Sequence, residues 1–153
     1  MAFVYGKVKE NFGTINLPLG RNKGDFRQHA APRHPRGAMR EAETYFEVIA
    51  RLPAVPAHAG QAGGKADGAD FTYLKAMPKT GRTHQIRAHL KAIGHPVICD
   101  RLYAKEKPCF LGFDRTALHA KEIIFKNAKG KEIKVEAPLP SDFTKVLEKY
   151  GLK

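Results

Sequence analysis

The spacing of apolar and polar positions changes several times along the chain, and each change marks an element. Ala2 to Val8, AFVYGKV, predicts a strand that begins abruptly, with nothing ahead of it to turn or cap. ENFGTINLPLGR follows as a turn and a short extended segment. From Glu43 to Leu52, ETYFEVIARL, the residues Tyr45, Glu47 and Ile49 alternate against Phe46, Val48 and Ala50, the pattern of a half-buried strand. FTYLKAMP, Phe71 to Pro78, is its expected partner. The intervening Pro53–Asp70 stretch is rich in Pro, Gly and Ala and has little to bury. It reads as a flexible insertion between two hairpin strands, so residues 1–153 are expected to form one domain.

The period becomes helical in PKTGRTHQIRAHLKAIGHP, Pro78 to Pro96. Ile86, Leu90 and Ile93 fall at i, i+4 and i+7 and predict a helix over about His84–Ile93 with one stripe facing a core. Thr83 is the expected cap, and Gly94 before Pro96 the left-handed end. KEIIFKNAKGKEIKVEAPLP predicts a hairpin, with Ile123 and Phe125 on one arm, Ile133 and Val135 on the other, and NAKG as the turn. SDFTKVLEKYGL closes as a short helix with Ser141 as candidate N-cap. The expected class is therefore α+β, with a mixed, mainly antiparallel sheet and flanking helices.

Charge narrows the partners. The chain has 27 Lys and Arg against 15 Asp and Glu, a formal net charge of +12, and such an excess favours a polyanion, most simply nucleic acid. A generally basic surface with no such partner is the plain alternative. Between Arg21 and Arg40 the cations Arg21, Lys23, Arg27, Arg33, Arg36 and Arg40 face a single acid, Asp25. Gly24, Pro32, Pro35 and Gly37 break any period there, which predicts a basic loop, a candidate phosphate-contacting arm. The cysteines, Cys99 and Cys109, show no CxxC spacing and are expected as free thiols in a reducing cytosol. No run approaches the ~18 apolar residues of a membrane span.

The start of the central helix carries the candidate chemistry. Arg87 lies beside the apolar stripe, where a guanidinium can be held rigidly and partly desolvated to receive a carboxylate or phosphate. Arg82, His84 and Gln85 gather around the free N–H groups of the first turn, an anion-favouring place. His84 and His89 are spaced i, i+5, which does not suit a metal-binding helix; His89 and His95 read as hydrogen-bonded structural residues, and no zinc site is expected.

TGRTHQIRAHL followed by GHPVICDRLY resembles the C-terminal signature of the RluA-type RNA pseudouridine synthases, nearly unbroken from Thr80 to Tyr103. Tyr5-Gly6 with GTINLPLGR, the Thr44–Val48 strand, RTALHAKEIIF and EAPLPSDF are similar to further family segments. The resemblance covers almost all of the chain outside Pro53–Asp70. It implies an isomerase that converts uridine to pseudouridine in structured RNA, ribosomal or transfer, without a cofactor; a monomer is expected, and the cysteine usage with the lack of a membrane span or signal pattern reads as cytoplasmic. It also implies that Arg87 pairs with a catalytic aspartate, and that Arg82, His84, Gln85, Arg21, Arg27 and Arg115 face RNA.

This sequence departs from the family pattern in three ways. The family's aspartate sits in HRLD-x-x-TSG, and no HRLD occurs here; Asp100 matches a later position and is expected to serve a turn. The family's base-stacking tyrosine has no counterpart, because Tyr5 matches a different, strand position. Cys99 stands where the family usually has glycine, at a cost of about 1–2 kcal/mol if the site needs positive φ. The chain thus reads as starting inside the catalytic domain, as a fragment or from a misplaced start. The strand at Ala2, with its expected exposed edge, favours that over a short protein that keeps only RNA binding.

Overall fold

A computed structural model describes residues 1–25, 29–30, 35–55 and 69–152. The central four-stranded antiparallel sheet has the order β1-β7-β6-β2, built from β1 (Ala2–Tyr5), β2 (Phe12–Asn16), β6 (Glu43–Val55) and β7 (Ala69–Pro78). The β6–β7 hairpin is its backbone: Phe46 and Leu52 from β6 lie in the core, and the run Phe71–Leu74 of β7 is buried on both faces of the sheet. Residues 56–68, the middle of the expected insertion, lie outside the described residues.

Two helices pack beside this sheet, α1 (Gln85–Ala92) and α2 (Ser141–Lys149). Leu90 from α1 and Phe143 from α2 are fully buried with Phe3, Phe71 and Leu74. Phe3 stacks on Tyr73 at 4.5 Å between ring centroids and meets Phe143 at 5.2 Å, so the first strand and the last helix share one aromatic centre. Ile86 and Ile93 are half-buried against the same core, completing the expected apolar stripe. Gly94 ends α1 at φ 88°, with the His95 N–H bonded to the Leu90 carbonyl. The fold is the expected mainly antiparallel α+β arrangement.

Four expectations need correction. The strand at Ala2 has no exposed edge: Ala2 to Val4 are wholly buried, because the later chain returns along them. Phe3 N–H donates to the Ala117 carbonyl, Ile98 N–H to the Phe3 carbonyl and Tyr5 N–H to the Pro96 carbonyl. Such coverage by residues a hundred positions away is invisible locally.

The basic segment is also more ordered than a loop. β3 (Leu19–Asn22), β4 (His29–Ala30) and β5 (Pro35–Arg40) form a three-stranded sheet in the order β4-β3-β5. The β3–β5 register shifts between Leu19 and Arg21, and Gly37 at φ 77° lies in the strand opposite that irregularity. Neither expected cap is one. His84, at φ 55°, stands at the start of α1 without a side-chain cap, and Pro140 precedes α2, leaving Ser141 as its first residue.

The cysteines are not free thiols. Cys99 and Cys109 form a disulfide across a Cα separation of 4.6 Å, inside the usual range. Tyr5 explains the approach: its hydroxyl donates to the Pro108 carbonyl at 2.6 Å and accepts from the Cys99 N–H at 3.3 Å, drawing both ends of the loop to one buried phenol. Cys99 has φ 58°, so the strain foreseen for a cysteine at a glycine position is present. Replacing Cys109 by Ser is expected to lower stability by about 2–3 kcal/mol in urea unfolding, from the loop closed. Two thiols titrating in the unreduced, denatured protein would show instead that the bond does not form.

The expected hairpin forms from β8 (Glu122–Lys126) and β9 (Glu132–Glu136), in a register that sets Ile123 opposite Val135 and Phe125 opposite Ile133. Asn127 shapes its turn, its side-chain oxygen accepting from the Lys129 and Lys131 N–H groups. Ile123, Ile124, Phe125 and Val135 are exposed.

Candidate active site and RNA-facing surface

Arg87 is fixed from two sides. Its Nε and Nη2 donate to the two oxygens of Asp100, each at 2.7 Å, in a bidentate fork. Its guanidinium lies 4.9 Å from the ring centre of Tyr103. The side chain is 18% exposed while that of Asp100 is wholly buried, so the pair is desolvated mainly on the carboxylate side. Nη1 has no hydrogen-bond partner among the described residues. The sequence placed Arg87 correctly at the border of the apolar stripe, but not its partner in this chain.

Asp100 does two jobs with one carboxylate. Oδ1 also accepts the N–H groups of Leu102 and Tyr103, each at 3.0 Å, which is the expected turn role. Burial by itself would raise its pKa, but the Arg87 guanidinium and those two N–H groups outweigh burial and hold it below the usual carboxylate value. The hydrogen bond to Asp100 likewise raises Arg87, against burial, so the guanidinium stays charged.

Gln85 organises the start of α1 from beneath. Its Oε1 accepts the Thr80 hydroxyl at 2.8 Å and the Arg82 N–H at 3.0 Å. Its Nε2 donates to the Glu43 carbonyl at 2.9 Å and to the Thr44 hydroxyl oxygen at 3.0 Å. Thr44 in turn lies 2.9 Å from His89 Nδ1, and His89 Nε2 lies 2.8 Å from the Leu17 carbonyl. The chain of bonds closes if Nε2 carries the proton and Nδ1 accepts from Thr44, the tautomer we assign. Burial lowers the His89 pKa, only partly opposed by the Leu17 bond, and keeps the ring neutral. His95 bonds the Tyr5 carbonyl at 2.9 Å, so both histidines read as structural have internal partners.

This arrangement sorts the expected RNA-facing residues. Gln85 is buried with its amide fully engaged and has no group left for RNA. His84 reaches the Tyr103 hydroxyl through Nδ1 at 3.2 Å, edge-on to that ring. Arg115 is held by Asp142, with an Nη2–Oδ2 distance of 2.7 Å, and lies 5.8 Å from the centre of the Phe143 ring, which ties it to α2. Arg27 lies outside the described residues.

Arg21 and Arg82 do come together, across a cleft of about 460 Å³ between β3, β5 and the start of α1. Arg40 joins them there, a residue that sequence reasoning counted in the basic run but did not single out. Among the described residues no three His, Cys, Asp or Glu side chains cluster in a way that could hold a metal, and no helix is long and apolar enough to cross a membrane.

Comparison with known proteins assigns the family. Residues 1–92 match the family described as RNA pseudouridylate synthase. The chain is 34% identical over 145 residues to an uncharacterized RNA pseudouridine synthase of Synechocystis, covering 94% of this chain and 39% of that protein. It is 32% identical over 122 residues to the dual-specificity RNA pseudouridine synthase RluA of Haemophilus influenzae, covering 80% and 47%. Human RNA pseudouridylate synthase domain containing 1 superposes with a TM-score of 0.67 at 26% identity, over 91% of this chain and 53% of that one. The chain therefore spans less than half the length of these curated relatives. By its matched residues and its fold, the chain belongs to the RluA-type RNA pseudouridine synthase family.

Proposed function

We propose that this chain forms the RNA-facing part of an isomerase that converts uridine to pseudouridine in structured RNA, ribosomal or transfer. The observation that supports it most is Arg87, a charged guanidinium pinned by Asp100 and Tyr103 with Nη1 unclaimed among the described residues. In the reaction the C1′–N1 bond breaks, the base turns and a C1′–C5 bond forms. C5 gives up its proton and N1 takes one up, so the change is an isomerisation that needs no cofactor. The target base must leave its stack to be reached.

A carboxylate entering beside Nη1 would be kept ionised there by the opposite charge. That carboxylate is not supplied by an HRLD motif of these 153 residues, since none occurs in them. We read residues 1–153 as one domain with the 53–70 insertion inside it, acting as a cytoplasmic monomer.

The test begins with the coding DNA upstream of the Met1 codon. If an in-frame HRLD-x-x-TSG is present, Arg87→Ala in the whole product should lower pseudouridine formation by roughly 10²–10³-fold while most RNA affinity remains. Turnover close to that of the unchanged product would remove Arg87 from the reaction.

A second reading is a non-catalytic RNA-binding module. It is favoured by Asp100, which already gives Arg87 a complete carboxylate partner within this chain. An upstream frame without the motif, together with salt-sensitive RNA binding and no isomerisation, would put this reading first.

A further inference from the structure

The cleft beside the start of α1 is lined by Leu19, Gly20, Arg21, Ala38, Arg40, Gly81, Arg82 and Thr83, so three cations meet there with no acidic side chain among them. The Arg21 and Arg40 side chains make no hydrogen bond or ion pair with another described residue, and both are exposed. Arg82 spends only Nε, on the Glu41 carbonyl at 3.1 Å. The adjoining helix start has no side-chain cap and no acid in its first turn. Everything at this place favours an anion, through both the arginine forks and the helix start.

We propose that this cleft is a binding site for the phosphodiester backbone of a single RNA strand, with Arg21 and Arg40 contacting consecutive phosphates and Arg82 flanking them. Neither Arg87 nor Asp100 lines the cleft, which holds the strand rather than the reacting base. It rests on the RNA reading above and names which surface carries it.

The test measures binding of a labelled uridine-containing stem-loop RNA across a salt series. Three proteins are compared: the unchanged chain, Arg21→Ala with Arg40→Ala, and Lys129→Ala with Lys131→Ala in the β8–β9 turn. The arginine double variant should bind roughly tenfold more weakly, and its log–log salt slope should fall by about 1.5, two phosphate contacts' worth. Its thermal midpoint should match that of the unchanged chain, because both arginine side chains are exposed and unpaired among the described residues. The lysine double variant should keep the original slope.

An unchanged slope in the arginine variant, with RNA still bound, overturns the cleft and leaves the RNA reading standing. An equal loss in the lysine variant also overturns it, since diffuse charge would then explain the binding. Displacement of the RNA by uridine monophosphate at equal phosphate concentration would make this a mononucleotide site and overturn the strand assignment. Absence of salt-sensitive binding by the unchanged chain removes both the cleft and the RNA reading.

Discussion

Asp100→Ala is expected to destabilise the chain by about 2–4 kcal/mol, because it leaves the half-buried Arg87 guanidinium without its counter-ion and the Leu102 and Tyr103 N–H groups without their acceptor. Asp100→Asn separates the two jobs of this side chain. An Asn oxygen can still accept the Leu102 and Tyr103 N–H groups but does not balance Arg87. It should therefore cost less than Ala by about 1–2 kcal/mol, the worth of two turn bonds. Urea unfolding of both variants reads the difference, and a cost below about 1 kcal/mol for both would mean that Arg87 finds another partner on losing Asp100.

The acid dependence follows from the same pair. The folded pKa of Asp100 lies below its ordinary value of 3.8, so the folded state binds the proton less readily than the unfolded chain. Its stabilisation is complete above that ordinary value and is lost as pH falls through the lowered folded value. The unchanged protein should lose this contribution only in strong acid, and Asp100→Asn should lack that part of the transition.

Gln85→Leu should be comparably damaging, although it exchanges one side chain for another of similar size. Four partners lose their bond at once: the Thr80 hydroxyl, the Arg82 N–H, the Glu43 carbonyl and the Thr44 hydroxyl. The Glu43 carbonyl keeps the Lys79 N–H and the Thr44 hydroxyl keeps His89, so the donors left unmatched are the Thr80 hydroxyl and the Arg82 N–H, at about 1–3 kcal/mol each. We expect about 3–5 kcal/mol in total. Gln85→Glu distinguishes the network from simple packing, since it keeps the acceptor toward Thr80 and Arg82 but sets a buried carboxylate oxygen against the Glu43 carbonyl in place of the amide donor. If Leu cost no more than Glu, the acceptor half of the network would contribute nothing.

Both predictions concern the stretch whose sequence is richest in chemistry, and they show how far that stretch could be read. The helix, its Gly94 end, the Ile86–Leu90–Ile93 stripe and the rigid, partly desolvated Arg87 follow from spacing alone, because i, i+3 and i+4 neighbours are set by helix geometry. The β6–β7 and β8–β9 hairpins were equally legible, since strand alternation and turn residues are local signals. Gln85 misled for a definite reason. A polar residue at a helix start reads as surface equipment, and only the strand carrying Glu43 and Thr44, some forty positions earlier, turns it inward.

The sequence by itself determined the α+β class, the strand pairs joined by near neighbours, the family signature from Thr80 to Tyr103 and the excess of positive charge. Tertiary structure alone decided the rest. It buried the first strand under residues 96–118, closed Cys99 onto Cys109 around the Tyr5 hydroxyl and gave Arg87 its partner Asp100. It also gathered Arg21, Arg40 and Arg82 from separate segments into one cleft. The physical reason is the same in each case: these contacts join positions from ten to more than a hundred residues apart, and periodicity records only which face a residue turns, not what the returning chain brings against it.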